Sequence, residues 1–191
     1  MVTTFYQTGP NGLFIFYQVF NLILQSAINK KIINVNRIRL KMSLEIKSYQ
    51  SKYFNKLCLV MDRARKQELQ SENLEEVFLP LRDAPYLDYF LSCKIYVAFE
   101  NGVLAGFIGF RPGSLNFIYV DPTHQNKGIA TELIKKALVE LERPVRLEVF
   151  TNNERAKALY RKFGFERANT ITEKWSDEFP VVFSQDTMEL R

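Results

Sequence analysis

Between Val120 and Ala130 the chain reads Val-Asp-Pro-Thr-His-Gln-Asn-Lys-Gly-Ile-Ala, residue types suited to holding an anion. Leu115 to Val120 reads as a buried strand, and Pro122 stops it, because proline cannot donate to a ladder and biases Asp121 toward extended geometry. Beyond it Ile129, Leu133, Ala137 and Leu141, with Ile134 and Leu138, recur at helical spacing. The N–H groups that open any helix lack internal partners, and the residues presenting them here include Gly128 and the small Ala130. That lack of bulk lets a pyrophosphate approach the backbone, while the helix dipole and Lys127 favour its charge. A mononucleotide P-loop would need a glycine-rich run ending in Gly-Lys-Ser/Thr, and the dinucleotide fingerprint needs three spaced glycines after a first strand; neither is present.

A second block follows: Leu147-Glu148-Val149-Phe150-Thr151-Asn152-Asn153, then Ala156, Leu159-Tyr160 and Phe163-Gly164-Phe165, a strand entering a helix. Gln-x-x-Gly-x-Ala after a Val-Asp-Pro strand end, with this block behind it, resembles the GNAT superfamily of acyl-CoA N-acyltransferases. The resemblance covers roughly Leu44 to Arg191, and its specific part is confined to Ile118 to Phe165. It implies an α/β domain of the GNAT type, a mixed, centrally splayed sheet of about six or seven strands flanked by about four helices. It further implies that the strands ending at Val120 and Phe150 part at their ends, with the pantetheine arm in the gap, and that acetyl-CoA is the cosubstrate, with no metal. Cofactor contacts carry over to Ile118, Tyr119 and Val120 at the strand end, to Gln125, Asn126, Lys127, Gly128, Ile129, Ala130 and Thr131 around the pyrophosphate, and to Asn153 and Tyr160 beyond it.

Moving an acetyl group from a thioester to an amine requires the neutral amine. A lysine-like amine of pKa about 10.4 is deprotonated in roughly one molecule in 10³ at pH 7, whereas an α-amine of pKa about 8 is neutral in roughly a tenth. Collapse of the tetrahedral intermediate expels a thiolate that an acid can protonate, and the developing oxyanion needs a donor, for which the backbone near Val120 is the candidate. The twelve-residue interval from Glu148 to Tyr160 matches the base and acid of the ribosomal-protein alanine N-acetyltransferase branch of the superfamily. Carried over, Glu148 accepts the amine proton through water and Tyr160 donates to the leaving thiolate. Without the resemblance, Glu148 reads as an outward-facing strand carboxylate and Tyr160 as a half-buried aromatic beside Phe163. Asn153 suits a helix cap, a pantetheine partner, or both; Lys127 and Arg155 could steer phosphates.

The elements that would position these groups are legible upstream. Leu44 to Tyr49 reads as a strand and Tyr53 to Leu69 as a helix with Leu57, Val60, Met61 and Ala64 on one face. A second helix is expected from a cap at Ser71 through Leu74, Val77, Phe78 and Leu81, broken by Pro80 and Pro85. Lys94 to Glu100 and Val103 to Phe110 flank Asn101-Gly102, the favoured two-residue hairpin turn. Past the anion-binding helix come a strand from Pro144 to Phe150, a short helix from Asn153 to Phe163 ended by Gly164, and strands at Phe165 to Glu173 and Val181 to Leu190. Glu68, Glu72, Glu75, Glu76, Asp83 and Asp88, with Glu173, Asp177 and Glu178 beside Trp175 and Phe179, lie in the segments that would choose an acceptor. They suit a cationic amine, whether a peptide terminus, a polyamine or an aminoglycoside; a solvated acidic surface is the other reading.

Length fits one domain. The net charge of +5 resides in residues 1–41, which hold Lys30, Lys31, Arg37, Arg39 and Lys41 and no acid, leaving 21 bases against 21 acids downstream. Residues 1–41 read as an N-terminal extension, basic and partly apolar, outside a domain spanning 42–191 that begins at Met42-Ser43-Leu44. The alternative is an amphipathic helix laid on a membrane or on the domain. No nucleic-acid partner is expected. Cys58 and Cys93 fit no metal spacing and read as reduced thiols of an intracellular, cytoplasmic protein, a monomer or homodimer. His124 is the sole histidine, a poor basis for a metal site. A non-catalytic acyl-CoA sensor is the alternative to an enzyme.

Overall fold

Asn101 and Gly102 take φ of 51° and 79°, and this left-handed pair turns strand β2 (Lys94–Glu100) into β3 (Val103–Arg111). The hairpin lies inside a sheet seen in a computed structural model that describes residues 44–191 and, upstream, Gln25, Ser26, Asn29 and Lys30. By internal packing the chain divides into Met1–Ser43 and Leu44–Arg191. Gln25, Ser26, Asn29 and Lys30 are helical and exposed; the rest of the extension expected at residues 1–41, membrane-lying or passive, falls outside the described residues. No helix among the described residues is long and apolar enough to cross a membrane.

The remaining strands are β1 (Leu44–Ser48), β4 (Ser114–Val120), β5 (Val145–Phe150), β6 (Glu166–Lys174) and β7 (Val182–Leu190), ordered β1-β2-β3-β4-β5-β7-β6 in one sheet. Every neighbouring pair is antiparallel except β4 and β5. Four helices flank the sheet in the described residues: α1 (Phe54–Ser71), α2 (Leu87–Ser92), α3 (Ile129–Leu138) and α4 (Glu154–Arg161). Strand alternation assigns them to faces. Ile95, Val97 and Phe99 pack with Leu57, Met61 and Phe90 of α1 and α2. Tyr96 and Ala98 face Leu133, Ile134 and Tyr160 of α3 and α4. Val97, Ala98, Ala105, Phe107 and Ile108 are fully buried, as central strands covered on both faces should be.

The helix expected from Ser71 to Leu81 is absent. Ser71 instead ends α1, Asn73 at φ 57° reverses the chain, and the Leu74 N–H returns to the Leu69 carbonyl at 2.9 Å. Without the amides that Pro80 and Pro85 lack, the segment settles into two 3₁₀ turns, Glu75–Val77 and Leu81–Asp83. Leu74, Val77 and Leu81 are nevertheless buried, so their spacing reported packing and not helix. The second helix, α2, begins only after Pro85.

Strands β4 and β5 touch as ladder partners at Ser114 and Arg146 alone, where the Arg146 N–H donates to the Gly113 carbonyl at 2.9 Å. From there Leu115–Val120 and Leu147–Phe150 diverge with no pairing between them, the central splay that the resemblance implied. A third small core, Leu69, Leu74, Val77 and Phe150 with Trp175 and Phe183 packed on it, holds the last residue of β5.

Candidate active site

The loop from β4 to α3 is built from its capping residue outward. Asp121 accepts from the Thr123 N–H at 2.9 Å and its hydroxyl at 2.6 Å, shaping the 3₁₀ turn Pro122–His124, and Arg63 of α1 donates to its other oxygen at 3.1 Å. Burial by itself raises this carboxyl's pKa, but those donors prevail and hold it below the usual value. Asn126 and Gly128 then take φ of 63° and 82°. Gly128 is the N-cap of α3, and the first helical bond runs from the Glu132 N–H to its carbonyl at 3.1 Å. The N–H groups of Gly128, Ile129, Ala130 and Thr131 find no acceptor among the described residues. A Cβ on Gly128 would meet nothing within 4 Å. Four convergent free donors at a helix start beside open space fit a pyrophosphate.

The side chains expected around that anion have other partners too. Lys127 donates to Glu100 at 2.6 Å, and His124 Nδ1 meets the same Glu100 oxygen at 2.6 Å. Glu100 is 6% exposed; burial raises its pKa, but Lys127 and His124 more than offset this, and the carboxyl is held below its ordinary range. Gln125 donates to Gln67 at 2.8 Å and to the Val120 carbonyl at 3.2 Å. Arg155 of α4 donates to Gln125 at 2.8 Å and to Asn126 at 2.9 Å, strapping the loop to the next helix. Ile129 is buried, so it offers the cradle only its backbone. Asn153 caps α4, accepting from the Ala156 N–H at 3.0 Å.

At the gap, the Asp121 N–H points to the Ala105 carbonyl of β3 at 2.8 Å. Backbone direction alternates along a strand, so the N–H groups of Val120 and Ile118 point the other way, toward the opening. Tyr160, 8% exposed, packs in the α3–α4 core with its ring centroid 6.1 Å from that of Phe165. Its hydroxyl has no hydrogen bond among the described residues, yet none of their buried polar side-chain atoms lacks a partner, so the oxygen is not sealed from open space. Burial, with Glu68 adding to it, pushes this phenol's pKa well above 10 and keeps its proton on. Glu148 sits on the opposite face of β5, exposed, in the wall of a cavity of about 350 Å³. Tyr119 turns its side chain into this cavity as well, while its backbone lies at the strand end.

Of the polar cluster in the cavity, the sequence offered Glu68 among the acceptor-choosing acids and Tyr119 as a cofactor contact, but not Arg65 or the bonds that join the three. Arg65 Nη1 donates to Glu68 at 2.6 Å and to the Tyr119 hydroxyl at 3.3 Å, and Tyr119 donates to Glu68 at 2.9 Å. The guanidinium lies 5.5 Å from the Phe150 ring and 5.6 Å from the Trp175 ring. Burial lowers the Arg65 pKa, but Tyr119 and Glu68 outweigh it and the net displacement is upward. A signal existed: Arg65 and Glu68 continue the stripe of Leu57 and Met61 at i, i+4 and i+3 steps, two charges on a buried face. Gly106 was missed as well. A Cβ there would lie 2.9 Å from the Tyr119 carbonyl oxygen and 3.1 Å from Val120 Cγ2, so the end of β4 depends on its absence.

The splayed mixed sheet thus carries an anion cradle at the start of α3 and a separate cavity lined by residues of α1, β4 and β5. The chain belongs to the acetyltransferase (GNAT) family, whose sequence profile matches residues 63–165, and is by that membership an acetyl-CoA-dependent N-acetyltransferase. It is 22% identical over 127 residues to the uncharacterized N-acetyltransferase YafP of Escherichia coli K12, covering 65% of this chain and 82% of that protein. It is 39% identical over 78 residues to the N-alpha-acetyltransferase RimI of Mycobacterium tuberculosis, 36% of this chain and 49% of that protein. Among solved structures, yncA of Salmonella typhimurium with its cofactor acetyl-CoA shares the fold at a TM-score of 0.55 and 18% identity, over 78% of this chain and 94% of that one.

Proposed function

We propose that the protein transfers acetyl from acetyl-CoA to a primary amine by direct attack in a ternary complex, in the cytoplasm. The observation that carries this reading is the interruption of pairing between β4 and β5, with Tyr160 in the core on one face of the sheet and Glu148 in the cavity on the other. Bound acetyl-CoA supplies the activated acyl group. The free N–H groups of Gly128 to Thr131 hold its pyrophosphate, Asn153 serves its pantetheine as well as capping α4, and the opening guides the thioester toward Val120. The Val120 N–H donates to the acetyl oxygen as charge develops there. Glu148 takes the amine proton through a water, and Tyr160, kept protonated by burial, donates to the departing sulfur. Full transfer from so weak an acid to a thiolate is uphill, since a cysteine-like thiol has pKa about 8.5, so the hydrogen bond itself is the larger part of what Tyr160 contributes. The name of the M. tuberculosis relative, an N-alpha-acetyltransferase, favours an α-amine acceptor, which demands less of the base.

The test is amine-dependent release of CoA thiol from acetyl-CoA across peptides, free amino acids, polyamines and aminoglycosides. Turnover with one class identifies the acceptor. Tight acetyl-CoA binding with no thiol release from any acceptor would refute the transferase and point to an acyl-CoA sensor.

A further inference from the structure

The acceptor cavity holds three charged side chains, Arg65, Glu68 and Glu148, between aromatic walls that include Phe117, Phe150 and Trp175. Arg65 is anchored through one nitrogen only. Nη1 serves Glu68 and Tyr119, while Nε and Nη2 donate to nothing among the described residues. Its side chain is 18% exposed and lines the cavity, and because no buried polar side-chain atom among the described residues goes unpartnered, neither remaining nitrogen is sealed from open space. The neighbouring rings and the two bonds at Nη1 restrict the fork, so the free donors are presented in a set direction.

A donor fork in the wall of a cavity selects for an acceptor oxygen, and the surrounding charge says which kind. Glu68 already balances Arg65, and Glu148 leaves the cavity with one net negative charge. A ligand carboxylate would sit among like charges, so a free amino acid is disfavoured. A polyamine brings no oxygen and leaves the fork unpaired once water is expelled, which a site built for hydrogen bonding penalises. A neutral carbonyl a few bonds from an amine satisfies both conditions. We infer that the acceptor is the α-amine that begins a peptide chain, and that Arg65 is a specificity-determining residue that binds the first peptide carbonyl. This rests on the transferase reading above and names its substrate class.

The experiment compares four acceptors in the thiol-release assay on the full chain: a neutral pentapeptide with a free amino terminus, the same peptide with sulfur replacing its first carbonyl oxygen, the corresponding free amino acid, and a diamine. The intact peptide should give the highest kcat/KM, and the weaker acceptor sulfur should raise KM about three- to tenfold with kcat little changed. Arg65→Gln should raise KM for the intact peptide about 10- to 100-fold, the range for a hydrogen bond to a charged group, and should abolish the difference between the two peptides. Equal KM for the two peptides on the wild-type protein, a sulfur penalty that persists in Arg65→Gln, or preference for the diamine or free amino acid overturns the anchor while leaving the transferase standing. Silence with these four acceptors, in protein that releases thiol with an aminoglycoside, overturns the anchor alone; silence with the aminoglycoside as well, in protein that binds acetyl-CoA, overturns the transferase reading and the anchor with it.

Discussion

Gly128 allows backbone strain and ligand exclusion to be measured separately. Its φ of 82° and ψ of 4° lie in the left-handed region, where a side chain costs about 1–2 kcal/mol. A Cβ there touches nothing within 4 Å, so no packing term is added, and Gly128→Ala and Gly128→Glu carry the same strain. For a domain of this size that corresponds to a loss of about 2–8 °C in Tm, equal in the two variants. Cofactor affinity should not be equal. Alanine adds one carbon to the cradle, whereas glutamate brings a negative charge against pyrophosphate. Two like charges about 4 Å apart at an effective dielectric of about 20 repel by about 4 kcal/mol, roughly a thousandfold in affinity. Thermal melts without ligand and calorimetric titration with acetyl-CoA give the two quantities. Folded Gly128→Glu that binds acetyl-CoA as tightly as Gly128→Ala would refute the assignment of the pyrophosphate to the start of α3.

Tyr160→Phe removes only the hydroxyl and should lower kcat by about 10²- to 10⁴-fold with acetyl-CoA affinity nearly intact; unchanged turnover would reduce Tyr160 to packing. Gly106→Ala forces a Cβ to 2.9 Å from the Tyr119 carbonyl oxygen and should cost about 1–3 kcal/mol in denaturant titrations, with weakened acetyl-CoA binding as the end of β4 shifts; a wild-type unfolding midpoint would contradict this. Asp186, fully buried, accepts from Lys157 at 2.9 Å and Thr170 at 2.7 Å; burial raises its pKa, but Thr170, Lys157 and Thr151 prevail and depress it. A depressed carboxyl adds stability above its unfolded pKa of about 3.9 and loses it as pH falls through the folded value, so Asp186→Asn should cost about 3–5 kcal/mol at pH 7 and progressively less below about pH 4. A cost independent of pH would show that the charge is irrelevant.

Features decided by a few consecutive residues were legible in the sequence. The Asn101-Gly102 hairpin, the Asn153 cap and the stop at Gly164, φ 89°, follow from local backbone preferences that tertiary packing did not override. The 71–81 segment misled because Leu74, Val77 and Leu81 bury side chains at helical spacing while Asn73 and the prolines deny the backbone a helix. The polar architecture of the site was not legible for a different reason. Glu100 meets His124 and Lys127 across 24 and 27 residues, and Arg65 meets Tyr119 across 54. No local pattern encodes such partners, and the charge of Lys127 read alone points to phosphate while its ammonium also has a carboxylate to answer.

The sheet separates the core that holds Tyr160 from the cavity that Glu148 lines, and its pairing is interrupted between β4 and β5. Side-chain alternation along β5 sends Leu147 and Val149 into the core shared with α3, α4 and Tyr160, and Glu148 to the side of α1, where Arg65 and Glu68 line the cavity. On the proposed mechanism, had β4 and β5 remained paired to their ends, a layer of hydrogen-bonded backbone would separate amine from thioester, however well each was bound. Pairing that stops at Ser114 and Arg146 removes that layer. The same interruption leaves the Val120 and Ile118 N–H groups without a strand partner on β5, a loss of ladder hydrogen bonds that native sheets seldom accept. Gln125 partly offsets it by donating to the Val120 carbonyl at 3.2 Å, which caps the strand end yet leaves the adjacent N–H free. On this reasoning the opening is retained because the unpaired donor at Val120 is of use, and a substitution that closed it by restoring β4–β5 pairing would raise stability and abolish turnover together.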